Sequence, residues 1–209
     1  VDGESGGAVL LFDGDDSYTI HLSGFTITNG NNGQGGGIYI NGGMNIDLSN
    51  LIITGNTSGR NNAGGGAYIN SSTGDISDVI ISDNDAYSGG GLSVATSDLT
   101  LHGVDFIDNH GENNSGGAYF HTSNVNIYNS NITNNNSATN SSVHISGDCS
   151  LDLVNSIWWG NSSGIYINDS GSEVIISIST SLHYQITDQA RIGLVSGRVF
   201  GNPDQIRSP

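Results

Sequence analysis

An eleven-residue segment recurs about every 26 residues and constrains what this chain can fold into more than any other feature. Five copies close on Asn, and these Asn residues lie 28, 25, 26 and 26 positions apart. A sixth copy closes on Gly30. The copies are IHLSGFTITNG (20–30), IDLSNLIITGN (46–56), GDISDVIISDN (74–84), LTLHGVDFIDN (99–109), VNIYNSNITNN (125–135) and LDLVNSIWWGN (151–161). Such a period is typical of a solenoid, in which each repeat is one supersecondary unit.

Within each copy the apolar residues form two pairs with a period of two, as in Leu99/Leu101 followed by Val104/Phe106. A period of two indicates strands, and the three-residue step between the pairs indicates a corner. The first copy places Phe25 in the same inward position as Val104. Each corner carries a residue type that tolerates positive φ, so we predict one left-handed residue per corner. These residues are Gly24, Asn50, Asp78, Gly103, Asn129 and Asn155.

A third, glycine-led strand precedes each pair, as in GGGIYI (35–40), GGGAYI (64–69), GGGLSV (89–94) and SGGAYF (115–120). Paired glycines at its start predict backbone crowding, because a Cβ would collide with a neighbouring coil. The sequence therefore predicts an all-β fold, a right-handed single-stranded parallel β-helix of about seven coils with three short strands each. We assign residues 1–182 to the coils and residues 183–209 to a cap or to the start of a following segment.

The closing asparagines recur at one place in every coil, whatever their neighbours are. Stacked amides can donate and accept along a row, so we interpret these residues as a structural ladder. The ladder residues are Asn56, Asn84, Asn109, Asn135 and Asn161.

The charge balance excludes one class of partner. Twenty Asp and Glu residues oppose four Arg residues, there is no Lys, and the net charge is −16. Nucleic-acid binding needs a basic footprint, which this chain lacks. No apolar run is long enough to span a bilayer, so we expect no membrane insertion within this chain.

The motifs GGAY (116–119) and FIDN (106–109) resemble the GGA-I and F-x-x-N repeats of polymorphic outer-membrane proteins, and more broadly the secreted bacterial right-handed parallel β-helix proteins. Only Phe106 keeps the Phe of that motif, since Ile53, Ile81, Ile132 and Trp158 stand elsewhere. The resemblance implies an adhesin-like protein, secreted or on a bacterial cell surface, with its signal sequence outside this chain. We expect a monomer or a part of a longer chain.

Many parallel β-helices act on polysaccharides, so an enzymatic function is the alternative. A lyase needs a cationic or carboxylate-neutralising group, and a hydrolase needs paired carboxylates. Arg60 is the only cation among the first 190 residues, and Asp83, Asp85 and Asp108 are the nearest approach to a carboxylate set. We expect no catalytic residues, and these four are the candidates if the alternative holds.

The same carboxylates are the candidate metal ligands. Asp83 and Asp108 occupy equivalent places in adjacent coils, with Asp85 nearby, and oxygen ligands suit calcium. A second group of acids, Asp13, Asp15 and Asp16, lies in FDGDDS (12–17). We expect calcium as the one possible bound cofactor.

An aromatic stripe is the candidate ligand-binding feature. The middle residue of each glycine-led strand points away from the core, because its two neighbours point inward. Rings in this row could bind a polysaccharide or a cell-surface protein, or they could pair across strands and stabilise the sheet. The row consists of Tyr39, Tyr68, Ser93, Tyr119, His144 and Tyr166, of which all but Ser93 are candidate binding residues.

Overall fold

The computed structural model describes residues 1–4, 6–14, 18–138, 141–162, 164–168 and 172–177. The predicted boundary at residue 182 and the predicted cap at 183–209 lie outside these residues. So do Asp15 and Asp16 of the predicted acidic group.

The described chain forms parallel sheets that run along a solenoid, and successive coils contribute successive strands to each sheet. Sheet 1 contains β1 (Leu10–Asp13), β5 (Ile38–Asn41), β9 (Ala67–Asn70), β13 (Leu92–Ala95), β17 (Ala118–His121), β21 (Val143–Ser146) and β24 (Ile165–Ile167). Sheet 2 contains β2 (Thr19–Ser23), β6 (Asn45–Ser49), β10 (Thr73–Ser77), β14 (Asp98–His102), β18 (Asn124–Tyr128), β22 (Ser150–Val154) and β25 (Glu173–Ser177). Sheet 3 contains β3 (Thr26–Thr28), β7 (Ile52–Thr54), β11 (Ile80–Ser82), β15 (Asp105–Ile107), β19 (Asn131–Thr133) and β23 (Ile157–Trp159).

All strand pairings in these sheets are parallel and join equivalent positions of adjacent coils, as where Tyr39 pairs with Tyr68 and Asp47 with Asp75. The predicted all-β parallel solenoid with a coil of about 26 residues is therefore confirmed, with about six turns in the described part.

A fourth sheet of two-residue strands has no counterpart in the sequence-based prediction. It contains β4 (Asn31–Asn32), β8 (Thr57–Ser58), β12 (Asp85–Ala86), β16 (His110–Gly111) and β20 (Asn136–Ser137). These strands carry no apolar alternation, because their inward residues are small. Their carbonyls approach the glycine-led strands so closely that a Cβ on Gly36 would lie 2.3 Å from the Thr57 oxygen.

The predicted corners between sheets 2 and 3 are left-handed in every coil. The φ values are 79° at Gly24, 50° at Asn50, 53° at Asp78, 64° at Gly103, 51° at Asn129 and 51° at Asn155. A second left-handed row, which the sequence-based prediction missed, precedes the closing asparagines: Asn29, Gly55, Asp83, Asp108, Asn134 and Gly160.

The core is a column of Ile, Leu, Val and Phe side chains between the sheets. Leu51, Val79 and Val104 are buried at the position where the repeat also places Phe25. The prediction for Phe25 was wrong, since its side chain is 45% exposed. The adjoining strand β3 is the first strand of sheet 3, and on its preceding side it pairs only with the short stretch Val1–Gly3, so the described part contains no full coil that could cover this ring.

The closing asparagines form a continuous hydrogen-bonded row inside the coil. The Asn109 Nδ2 group donates to the Ile81 carbonyl at 2.8 Å and to Asn135 Oδ1 at 3.0 Å. Its Oδ1 atom accepts from the backbone N–H of Asn84 at 3.1 Å and from Asn84 Nδ2 at 3.0 Å. Asn109 is fully buried, so water cannot take the place of any of these hydrogen bonds if one is lost.

A second row of buried acceptors joins sheets 1 and 2. The hydroxyl oxygens of Ser97 and Ser123 each accept the backbone N–H of the equivalent residue one coil earlier. Cys149 takes the next place, and its Sγ accepts the Ser123 N–H at 3.3 Å. Burial raises the pKa of the Cys149 thiol, so it is held as a neutral packing group.

Replacing Asn109 by Ala should lower the free energy of unfolding by about 3 kcal/mol, because buried partners on both sides lose hydrogen bonds. Asn136→Ala is the control, since that side chain is exposed on sheet 4. Urea denaturation measures the difference. Equal midpoints for the two variants would contradict the structural role of the ladder.

Replacing Gly66 by Ala should also destabilise the fold, by about 2 kcal/mol, as overpacking does. A Cβ there would lie 2.5 Å from the Gly91 oxygen and 3.0 Å from Asn84 Nδ2. In Gly33→Ala, the control, the nearest atom is 4.0 Å away. Thermal denaturation should show a lower Tm for Gly66→Ala alone, and a drop of the same size in both variants would count against crowding.

Candidate functional site

The outer surface of sheet 1 carries two rows of side chains that run along the solenoid, and together these define the sheet 1 face. The first row is Leu11, Tyr39, Tyr68, Ser93, Tyr119, His144 and Tyr166. The second row, two residues further along each strand, is Asp13, Asn41, Asn70, Ala95, His121, Ser146 and, just after β24, Asn168.

At one end of the sheet 1 face two rings lie against each other. The Tyr39 and Tyr68 rings are stacked with centroids 5.6 Å apart and planes 10° apart. The Tyr68 side chain is also hydrogen-bonded to that of Gln34. Burial raises the pKa of both phenols, so both remain protonated donors at neutral pH.

At the other end four rings, those of Tyr119, His121, His144 and Tyr166, and the hydroxyl of Ser146 form a second cluster. His144 makes edge contacts with Tyr119 at 5.3 Å and with Tyr166 at 4.9 Å between ring centroids. The Ser146 Oγ lies 2.8 Å from the Tyr119 hydroxyl and 3.0 Å from His121 Nδ1. These contacts fix the orientation of the ring of Tyr119.

His144 is the least accessible ring of the row, with 6% of its surface exposed. Burial lowers its pKa to about 4, and a backbone hydrogen bond to Asn114 acts in the opposite direction. The imidazole is therefore neutral at neutral pH.

Ser93 separates the two clusters and is itself buried under its neighbours, at 1% exposure. The rings thus pair across strands, which is one of the two interpretations of the stripe. They are still not fully covered, since Tyr166 is 36% exposed and Tyr39, Tyr68 and Tyr119 are half-buried. Binding of a ligand by these residues stays a prediction.

An amide row lies beside the first ring pair. Asn70 Nδ2 donates to Asn41 Oδ1 at 2.7 Å, and Asn41 Nδ2 donates to Asp13 Oδ1 at 2.8 Å. An amide carries two N–H groups and two lone pairs, so these contacts use only part of its capacity. Asn41 and Asn70 can therefore bind a further polar partner.

Sequence reasoning missed this second row, although the sequence contains a signal for it. The pentapeptide GIYIN occurs at 37–41 and again at 164–168, and AYIN occurs at 67–70. Each copy places Asn two residues after Tyr, on the same side of the strand.

Charge is distributed unequally between the outer surfaces. The sheet 1 face contains one carboxylate, Asp13, among its described residues. The outward positions of sheet 2 contain Asp47, Asp75, Asp98, Asp152 and Glu173. Neither surface carries Arg or Lys within the described strands.

The aspartates predicted as metal ligands take part in turns and in a hydrogen bond to a histidine ring. Asp83 and Asp108 both have φ of 53°, in a row where Gly or Asn stands in the other coils. Asp85 points outward on sheet 4, with Oδ2 3.0 Å from His110 Nδ1. The described residues contain no group of three or more His, Cys, Asp or Glu side chains that could hold a metal ion. Calcium binding at these aspartates stays a prediction.

Arg60 lies exposed in the loop between β8 and β9. In the described part, the close contacts between a carboxylate and a basic side chain are His21–Asp47 and His110–Asp85, and neither involves Arg60. The structure therefore brings Asp85 to a histidine but joins neither of them to Arg60.

The protein is a parallel β-solenoid, and its sheet 1 face carries aromatic rings and side-chain amides. The family model described as "Right handed beta helix region" matches residues 8–181, and the chain belongs to this family. Searches of curated proteins and of solved structures found no match. The family match does not extend to the narrower resemblance to polymorphic outer-membrane protein repeats. Among the described elements there is no helix of a length and apolarity suited to crossing a membrane.

The buried imidazole of His144 should make stability depend on pH. Its pKa is about 4 when folded against an ordinary value of 6.5, so between these values the unfolded state binds more protons. The contribution of His144 to the free energy of unfolding is fully present above pH 6.5 and is lost as the pH drops towards 4. The Tm should therefore decline more steeply over this window in the parent protein than in His144→Gln.

The control for this comparison is Tyr166→Phe, which keeps the imidazole and the ring that contacts it. It should retain the pH dependence of the parent protein. Parallel Tm curves for the parent and His144→Gln would show that the imidazole contributes nothing.

Proposed function

We propose that this chain is a non-catalytic, adhesin-like binding module that takes up a polysaccharide or a cell-surface protein along its sheet 1 face. The observation that carries the proposal is the pair of aligned rows, rings in one and amide, imidazole or hydroxyl groups in the other. The location, secreted or on a bacterial cell surface, belongs to the proposal and is supported by the resemblance to polymorphic outer-membrane protein repeats.

Rigidity supports a binding role for this surface. Strands of sheet 1 are hydrogen-bonded to their neighbours along the whole described solenoid, and the rings are held by contacts to one another. A surface that is already ordered loses little conformational entropy when it binds. Tyr is well suited to such surfaces, since it offers a large amphipathic contact area with few rotatable bonds.

The competing enzymatic function is less well supported. It would need a cation or paired carboxylates acting together, from Arg60, Asp83, Asp85 and Asp108. Asp83 and Asp108 serve a left-handed turn, and Arg60 makes no ion pair within the described part. We therefore base the proposal on the sheet 1 face. Calcium at the aspartates is a separate proposal, on which this one does not depend.

Replacing Tyr68 and Tyr119 together by Ala should weaken binding to a glycan array or to intact cells by about tenfold or more, because each substitution removes an aromatic contact. The matched control is Tyr128→Ala with Trp159→Ala, two aromatic residues on the outer surfaces of sheets 2 and 3. Circular dichroism of both pairs checks that the solenoid is intact.

A second measurement does not depend on the variants. Ligand bound to the parent protein should slow hydrogen exchange in β9 and β17, relative to sheet 2. Binding that is unchanged in the Tyr68/Tyr119 variant, together with protection elsewhere, would refute the proposal. So would a protein that binds no glycan and no cell surface.

A further inference from the structure

We propose that the ligand of the sheet 1 face is an uncharged polysaccharide, bound in an extended form along the solenoid axis with successive sugar units on successive coils. This inference rests on the proposed function and narrows it to one chemical class.

The first argument is charge. A polyuronate or a sulfated glycan would bring one or more negative charges per unit to a protein of net charge −16. No described residue of the sheet 1 face is Arg or Lys, and its one carboxylate, Asp13, would repel such a chain. The anion would lose water without gaining a counter-ion, which is unfavourable.

The second argument is that the acidic groups avoid this surface. Sheet 2 carries five outward carboxylates over the same coils, while the described part of the sheet 1 face carries one. The phenols of Tyr39 and Tyr68 are protonated, and His144 is neutral at neutral pH. The sheet 1 face is therefore polar but nearly uncharged, as a ligand with many hydroxyl groups requires.

The third argument is that the same pair of side chains repeats along the solenoid axis. β5 and β9 are adjacent and present the same pair, Tyr39 with Asn41 and Tyr68 with Asn70. The two pairs are thus displaced by one strand spacing, about 4.8 Å. A ligand whose units repeat along its length can make the same contact at each pair, whereas a protein surface without an internal repeat cannot.

The pairing of the rings sets the type of contact. The Tyr39 and Tyr68 rings face each other. A ligand therefore meets mainly the edge and the hydroxyl of each ring, because one face of each is taken up by the stacking. The neighbouring amides add donors and acceptors. Recognition is then mainly hydrogen bonding to sugar hydroxyls, with aromatic edges limiting access of water.

The far end of the face repeats this arrangement with other groups. Tyr119 lies beside His121, and Ser146 takes the place of the amide in the next coil. Tyr166 in β24 and Asn168, just after this strand, repeat the pair of Tyr and Asn. Ser93 and Ala95 separate the two ends with small side chains, so we expect two blocks of contacts and an affinity that grows with ligand length.

The test is a titration of the parent protein by calorimetry with β-1,4-linked oligomers of glucose and of N-acetylglucosamine of increasing length, and with oligogalacturonates of the same lengths. The affinity for at least one uncharged series should rise with length. The oligogalacturonates should bind at least about tenfold more weakly.

The variant for this test is Asn41→Ala with Asn70→Ala, which leaves the rings in place. It should lose about tenfold in affinity for the uncharged oligomers, because two polar contacts are removed. The matched control is Asn45→Ala with Asn126→Ala on the outer surface of sheet 2, which should bind as the parent does.

The outcomes separate the two proposals. Tighter binding of oligogalacturonates, lost in the Tyr68/Tyr119 variant, would overturn the uncharged class and leave the sheet 1 face as the binding surface. Capture of a cell-surface protein without any glycan would do the same. Unchanged affinity in the Asn41/Asn70 variant, or an affinity independent of length, would overturn the repeated contacts. Absence of binding to every probe and to cells would refute both proposals.

Discussion

The fit between the last glycine of each glycine-led strand and the asparagine ladder controls the spacing of the coils. The Gly66 Cα faces the carbonyl of Gly91 and the amide of Asn84, with no room for a Cβ. The same amide bonds Asn109 in the next coil. Because both contacts recur in successive coils, the strands of sheet 1 stay in register. That register places Tyr39 over Tyr68 and Asn41 over Asn70.

Strands that bury alternate apolar side chains could be predicted from the sequence, since burial imposes a period of two. Strand β14, in which Leu99 and Leu101 are buried, and the corner at Gly103 are examples. Sheet 4 could not be predicted in this way, because its strands bury no apolar pair; β16, for example, consists of His110 and Gly111 and buries only the glycine. Its position follows from backbone contacts between coils, which no local pattern encodes.

The candidate site shows a similar division. The outward direction of Tyr68 and Tyr119 follows from alternation, but their contacts depend on which residue stands one coil away. Asp83 and Asp108 are conspicuous in the sequence as carboxylates, which is why the sequence predicts a metal site there. In the structure their backbone conformation is the informative property, since a left-handed residue there is Gly, Asn or Asp in every coil.

The interchangeability of coils has a consequence for how such a chain can change. Each coil contacts only the coil before it and the coil after it. Duplication or loss of one 26-residue unit would preserve the glycine and asparagine contacts at the new junction. It would also lengthen or shorten the sheet 1 face by one strand, about 4.8 Å. The length of the sheet 1 face can thus change during evolution by one coil at a time, through the number of repeats, while the contacts between coils stay the same.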